Sequence, residues 1–389
     1  MQRSHLLAVI IIASCCSLFE SARAGTWYVK PDGTGDVPTI EAGIDSAQAG
    51  DTVLVAPGEY TWSDQGTGDE YGMIFLTRGV TGFVVRSEAG PEATILNAEG
   101  QGRLIYLMGE NFVTIEGFTF TLGIAGERGY YCGGGICAHV SAPVIRNCIF
   151  TGNSADQGGG MWIGGVSAPR LENCRFINNE ATHGGGVFLI NSSTQPVFVD
   201  CIFDDNRAER YGGGLLAYTI TFELEGCAIY RNSAGERGGG FYGENIYEST
   251  ITRCTISENA APAGGGIHIF RNSALTVRSS IICYSRNGGA LAVEVSSLLD
   301  IGCCDIYGNS GGDSFPPGTV DAGFNIFLEP QFCGSVGSAN YYLQSDSPCH
   351  PINHPGGLFC GLIGAYPVMC GSVPVGEDSW SGIKRSFKR

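Results

Sequence analysis

The sequence predicts an all-β chain wound as a parallel β-helix, a solenoid of short strands behind a short N-terminal capping helix. Three observations predict it. First, glycine triplets start at Gly133, Gly158, Gly184, Gly212, Gly238 and Gly264, and a doublet starts at Gly288, so the steps are 25, 26, 28, 26, 26 and 24 residues. A fixed period of this length marks a repeat architecture whose units bury their faces only against neighbours. Second, other residues keep step with the glycines. Cysteines stand at Cys148, Cys174, Cys201, Cys227 and Cys254, with Cys304 two turns later. Two residues after each comes Phe150, Phe176, Phe203, Ile229, Ile256 or Ile306, and five after comes Asn153, Asn179, Asn206, Asn232, Asn259 or Asn309. Third, the parity within a unit is that of strands. Each cysteine shares a face with the residue two on. The apolar residue three before it (Ile145, Leu171, Phe198, Leu224, Ile251) has the wrong parity, which requires a bend. Triplets of glycine deny a helix between them.

The elements follow in chain order. Residues 1–24 read as a secretory signal, with Arg3, an apolar stretch over 6–19 and an Ala22-Arg23-Ala24 cleavage site. The rival is a lipobox that would make Cys15 a lipidated N-terminus. Residues 39–48 predict an amphipathic helix, with Ile40, Ile44 and Ala47 at i, i+4 and i+7. Runs at 52–55, 73–76, 83–85, 94–96, 104–107 and 112–115 are short and β-rich between Gly, Pro and Asp turns, and extend the coil toward the N-terminus. The β-helix is expected over residues 25–310, in two or three strands per turn, with turns about 4.8 Å apart. Residues 311–370 read as a Cys-rich C-terminal cap, and 371–389 as a linker and basic tail. That tail carries Lys384, Arg385, Lys388 and Arg389 and is a candidate sorting or attachment segment.

The turn pattern resembles a known family. It is similar to the right-handed parallel β-helix of the pectate-lyase-like superfamily, with repeats resembling those of chlamydial-type polymorphic outer-membrane proteins. Phe150-Thr-Gly-Asn153, Phe176-Ile-Asn-Asn179 and Phe203-Asp-Asp-Asn206 match the F-x-x-N motif of those repeats. The glycine triplet plus Met161, Val187, Leu215 or Phe241 is close to their G-G-A-[ILV] motif, with glycine for alanine. The N-terminal segments around Trp27-Tyr28-Val29 and Gly50-Asp51-Thr52-Val53 resemble the start of such helices, which implies that the 39–48 helix plugs the open end. The resemblance implies a fold and leaves activity open, because this fold hosts lyases, hydrolases, adhesins and inert passengers.

The repeated residues read first as structure. Stacked asparagines form a ladder of amides inside a turn, and Asn tolerates the left-handed conformation such turns need. The cysteine column is either a run of buried thiols acting as small apolar fillers or a set of disulfides; in-register side chains point the same way, which favours thiols. Cys132, Cys137, Cys333, Cys349, Cys360 and Cys370 lie outside the column and are the candidates for disulfides. The last four allow three pairings among themselves.

Composition excludes more than it assigns. The 389 residues carry a formal charge of −16 and only three lysines, which disfavours a nucleic-acid partner. No stretch after the leader is long and apolar enough for a membrane helix. A lyase needs an Arg or Lys base beside acidic calcium ligands, and a hydrolase needs two placed carboxylates. The candidates are Asp200, Asp204 and Asp205 with Arg207, though Asp204 and Asp205 fall in a turn where polar residues are expected anyway. The reading therefore favours a non-catalytic, exported, monomeric β-helix that presents a surface to a protein or polysaccharide. It needs no cofactor. The alternative is a polysaccharide lyase or glycoside hydrolase, with Ca2+ entering only in the lyase case.

Overall fold

The computed structural model describes residues 24–370 except 66–70, 77–80, 110–111, 127–131, 192–193, 295 and 339. The signal segment up to residue 23, the lipobox at Cys15 and the basic tail lie outside the described residues.

The chain is an all-β parallel solenoid of about ten turns. Its strands form four parallel sheets of twelve, ten, five and nine strands. One central turn shows the order. Val197–Val199 lies in the twelve-stranded sheet, Ile202–Asp204 in the ten-stranded, Arg207–Tyr211 in the five-stranded and Leu215–Tyr218 in the nine-stranded sheet. The next turn repeats it in register, pairing Phe198 with Leu224, Phe203 with Ile229 and Leu215 with Phe241. The expected two or three strands per turn are thus four in the central turns.

Each corner carries a left-handed residue. The residue before the cysteine column has positive φ (Asn147 55°, Asn173 52°, Asp200 52°, Arg253 52°), as does the one before the asparagine column (Asn178 52°, Asp205 52°, Arg231 59°). This is the bend that the parity demands. The first glycine of each triplet is also left-handed, 60–68° from Gly133 to Gly264. The second packs against the next turn: a Cβ on Gly213 would stand 2.4 Å from the Gly239 carbonyl oxygen. Only glycine leaves room there.

The interior is a set of stacks. Phe120, Phe150, Phe176 and Phe203 stack with centroids 4.6–5.2 Å apart. The thiols of Cys148, Cys174, Cys201, Cys227 and Cys254 are free and buried. Each donates to a carbonyl of the preceding turn, as Cys174 Sγ does to Ile145 O at 3.4 Å. Burial pushes the Cys148, Cys201 and Cys254 thiols well up, which keeps them protonated and inert. The asparagines form the ladder: Nδ2 of Asn153, Asn179, Asn206 and Asn232 each donates to the next Oδ1 at 2.9–3.0 Å. Asn309 does not join this run. Ser285 holds the intervening position, and its amide donates to Asn309 Oδ1 at 3.0 Å.

Helix α1 (Ile40–Ser46) closes the N-terminal end, with Ile40 and Ile44 set against Ile74, Val85, Leu96 and Phe120. Thr39 caps it, its Oγ1 accepting from Ala42 N at 3.1 Å.

Phe315 packs on the interior core, and much of the later part of the segment after the last turn lies outside the solenoid. It folds back along the outer surface of the ten-stranded sheet. Tyr341 packs on Ile202, Ala228 and Tyr230, and Ile363 and Leu343 pack on Ile281 and Cys283. The carboxylate of Glu258 accepts from Tyr341 Oη at 2.9 Å and Gly337 N at 2.8 Å. The disulfides correct the expectation of pairing within the last four cysteines. Cys333 joins Cys370, but Cys360 joins Cys303 of the solenoid. Cys349 is a buried thiol that donates to Asp305 Oδ2 at 3.1 Å, and Cys132 and Cys137 are free.

A candidate ligand site at the glycine corner

The four residues singled out as catalytic candidates do not converge. Asp200 and Asp205 occupy two different left-handed corners of one turn. Asp204 lies on the ten-stranded sheet and is gripped by Arg231, with Nε to Oδ1 at 2.8 Å and Nη2 to Oδ2 at 2.5 Å. Arg207 opens the five-stranded sheet, exposed, 3.7 Å from Glu180. Burial pushes the Asp200 carboxyl up to about 6 and raises Asp204 against the pull of Arg231. Those are the signatures of half-buried turn and pair residues: Asp205 adds to the rise at Asp204, and the carboxylates near Asp200, Glu225 and Glu172, are held by Arg253 and Arg170. Among the described residues no three His, Cys, Asp or Glu side chains are grouped to hold a metal ion.

The residues that do converge lie elsewhere. At the triplets from Gly133 to Gly238 the chain turns from the five-stranded side to the nine-stranded sheet, and at Gly264 it enters the nine-stranded sheet again. In the latter, Met161, Val187, Leu215 and Phe241 face the core, as do the residues two after each. The residues between them, Trp162, Phe188, Leu216 and Tyr242, therefore face out. Yet Phe188, Leu216 and Tyr242 are only 2–5% exposed. Trp162, Ile190, Tyr211, Tyr218 and Phe270 cover them and are themselves half-exposed. The result is an apolar, aromatic seam running along the solenoid axis.

Its geometry is that of stacked rings framed by charge. Tyr211 stacks on Tyr242 at 5.0 Å, and Tyr242 meets His268 at 5.4 Å. Trp162 Nε1 donates to Gln157 Oε1 at 3.1 Å across the corner. The Arg210 guanidinium lies over Tyr211 at 4.8 Å, and those of Arg237 and Arg271 lie over Phe270 at 5.0 and 4.8 Å. Each of these arginines has a carboxylate: Arg210 with Glu236 at 2.7 Å, Arg237 with Glu294 at 3.4 Å, Arg271 with Glu244 at 3.0 Å. Burial, helped by Arg237, pushes His268 down to about 4, and burial lowers His183. Both imidazoles are neutral at pH 7. The seam thus offers half-exposed aromatic faces and hydrogen-bonding groups with little net charge. A sequence signal for it existed: an aromatic or apolar residue two after each triplet sits where strand parity points to solvent.

The family comparison agrees on the fold. The profile of the family described as "Right handed beta helix region" matches residues 79–222 and 207–310. Among solved structures, a pectate lyase, Pel9A, is similar with a TM-score of 0.50 at 12% identity, over 89% of this chain and 96% of that one. The A-module of the mannuronan C-5 epimerase AlgE6 of Azotobacter vinelandii gives 0.44 at 14% identity, over 75% and 95%. A rhamnogalacturonan lyase gives 0.39 at 14% identity, over 83% and 97%. No curated protein sequence matches the chain.

Proposed function

The chain belongs to the right-handed β-helix family, and from that premise we propose that it is an exported, monomeric, non-catalytic β-helix whose aromatic seam binds an extended neutral polysaccharide. One observation carries the reading: half-exposed Trp162, Tyr211, Tyr218 and Phe270 pack over the outward residues of the nine-stranded sheet, from several successive turns. Successive turns stand about 4.8 Å apart, roughly the length of a sugar residue. Aromatic faces receive the apolar face of a sugar ring, and the surrounding Arg, Glu and Gln groups receive its hydroxyls. The glycan is neutral because the seam's arginines already have carboxylate partners and the chain as a whole is acidic. The carboxylates of Glu236, Glu244 and Glu294 are engaged in turn, which supports binding over catalysis. Likeness of the Phe-x-x-Asn motifs to surface-protein repeats supports display outside the cell.

Affinity electrophoresis in gels containing a neutral β-glucan, mannan or xylan tests the reading. Trp162→Ala and Tyr211→Ala should each weaken retardation about tenfold, as expected for losing one ring of about 1–1.5 kcal/mol. Retardation unchanged in both variants would overturn the site. Retardation only by acidic polysaccharides in the presence of calcium would favour the lyase alternative instead.

A further inference from the structure

Cys132 and Cys137 occupy the two positions that meet across the first glycine corner. Their equivalents one turn on are Gln157 and Trp162: Cys132 bridges to Gln157, and Cys137 pairs in register with Trp162. In that next turn the two side chains touch across the triplet, at 3.1 Å from Nε1 to Oε1. The cysteines do the same. They pack in one cluster with Tyr106. Among the described free cysteines, these two alone flank a glycine triplet. The column thiols lie in the core, and Cys349 of the C-terminal segment packs near Cys283 but donates to Asp305 Oδ2.

We propose that Cys132 and Cys137 are a redox-active dithiol that closes to a disulfide across the corner on exchange with a small-molecule disulfide. Cys132 is the attacking group. It is 8% exposed, whereas Cys137 is fully buried. The neighbouring Cys137 thiol, with the Arg103 guanidinium, holds Cys132 below the usual thiol range, while burial pushes Cys137 up. The Cys132 thiolate attacks one sulfur of the oxidant, and its S–S bond breaks, releasing one thiolate with the electron pair. Cys137 then loses its proton to solvent and attacks the Cys132 sulfur, releasing the second thiolate. Two protein thiols are oxidised to one disulfide, and the oxidant is reduced to two thiols. The bond ties the five-stranded side of the corner to the nine-stranded side at one end of the aromatic seam. This site stands whether or not the seam binds glycan.

The test is exposure of the folded full chain to glutathione disulfide, then alkylation in denaturant and peptide mapping. Both residues fall in the tryptic peptide 129–146. The expected result is that this peptide takes no alkyl group and is lighter by two hydrogens, while the column cysteines are all alkylated. Cys137→Ser should instead carry glutathione on Cys132. A peptide alkylated at both positions, or a Cys132 bonded to any other cysteine, would overturn the proposal.

Discussion

Asn206 Oδ1 accepts from both the backbone and side-chain nitrogens of Asn179, and its own two nitrogens donate to Asn232 Oδ1, with Nδ2 also reaching Phe176 O. All of this is buried. Asn206→Ala strands those groups without water, at about 1–3 kcal/mol each. Urea unfolding should therefore show a loss of about 3 kcal/mol or more, and a loss under 1 kcal/mol would deny the ladder its role. The column was legible because a residue that recurs every turn must stack on itself. Asp200 and Asp205 were not, because their reason for being there is a positive φ, which no spacing reveals.

Asp305, also at the residue scale, sets a pH dependence. Burial pushes its carboxyl up to about 7, against about 3.9 in an unfolded chain. The folded state therefore holds the extra proton. Stability from this group is full below about pH 4, falls as pH rises toward 7, and stays at its lower level above that. Asp305→Asn should flatten the fall in Tm between pH 5 and pH 8 relative to the parent chain, by an amount on the order of a few kcal/mol at pH 8. Parallel Tm profiles for the two proteins would exclude this assignment.

At the scale of the element, the glycine corner decides the turn. The second glycines abut backbone of the next turn, so Gly213→Ala would drive a Cβ against the Gly239 and Ser233 carbonyl oxygens, at 2.4 and 2.5 Å. The neighbour is backbone of a stacked turn and cannot yield alone. We expect a loss of about 3 kcal/mol or more. A Cβ on Gly126 meets nothing within 4 Å, so Gly126→Ala should change stability by less than about 0.5 kcal/mol. Similar effects at the two sites would contradict the packing argument. The triplets announced the corners, but the fourth strand of the central turns stayed hidden. Glu180–His183 and Arg207–Tyr211 bury little more than Ala181 and Ala208, too few apolar positions to show a period of two.

At the scale of the molecule, the repeats displayed the solenoid while the C-terminal segment gave no sign of its course. It has no repeat, and its anchors are remote: Tyr341 to Glu258 spans 83 residues and Ala365 to Thr255 spans 110. Only the outer surface of the ten-stranded sheet, with Ile202, Ala228 and Ile281 where parity points to solvent, hinted that something covers it. With that side covered by the C-terminal segment through Tyr341, Leu343 and Ile363, the glycine corner and the adjoining nine-stranded sheet keep their half-exposed aromatic residues.

The central claim is that this corner binds a neutral polysaccharide without transforming it. It is tested by titrating the protein with a neutral oligosaccharide calorimetrically, then measuring oligosaccharide length after prolonged incubation. The account predicts saturable binding, lost in a Trp162→Ala/Tyr211→Ala double variant, with chain length unchanged. Shortened chains or new unsaturated ends in the parent sample and not in a heat-inactivated control, or binding that survives in the double variant, would contradict it.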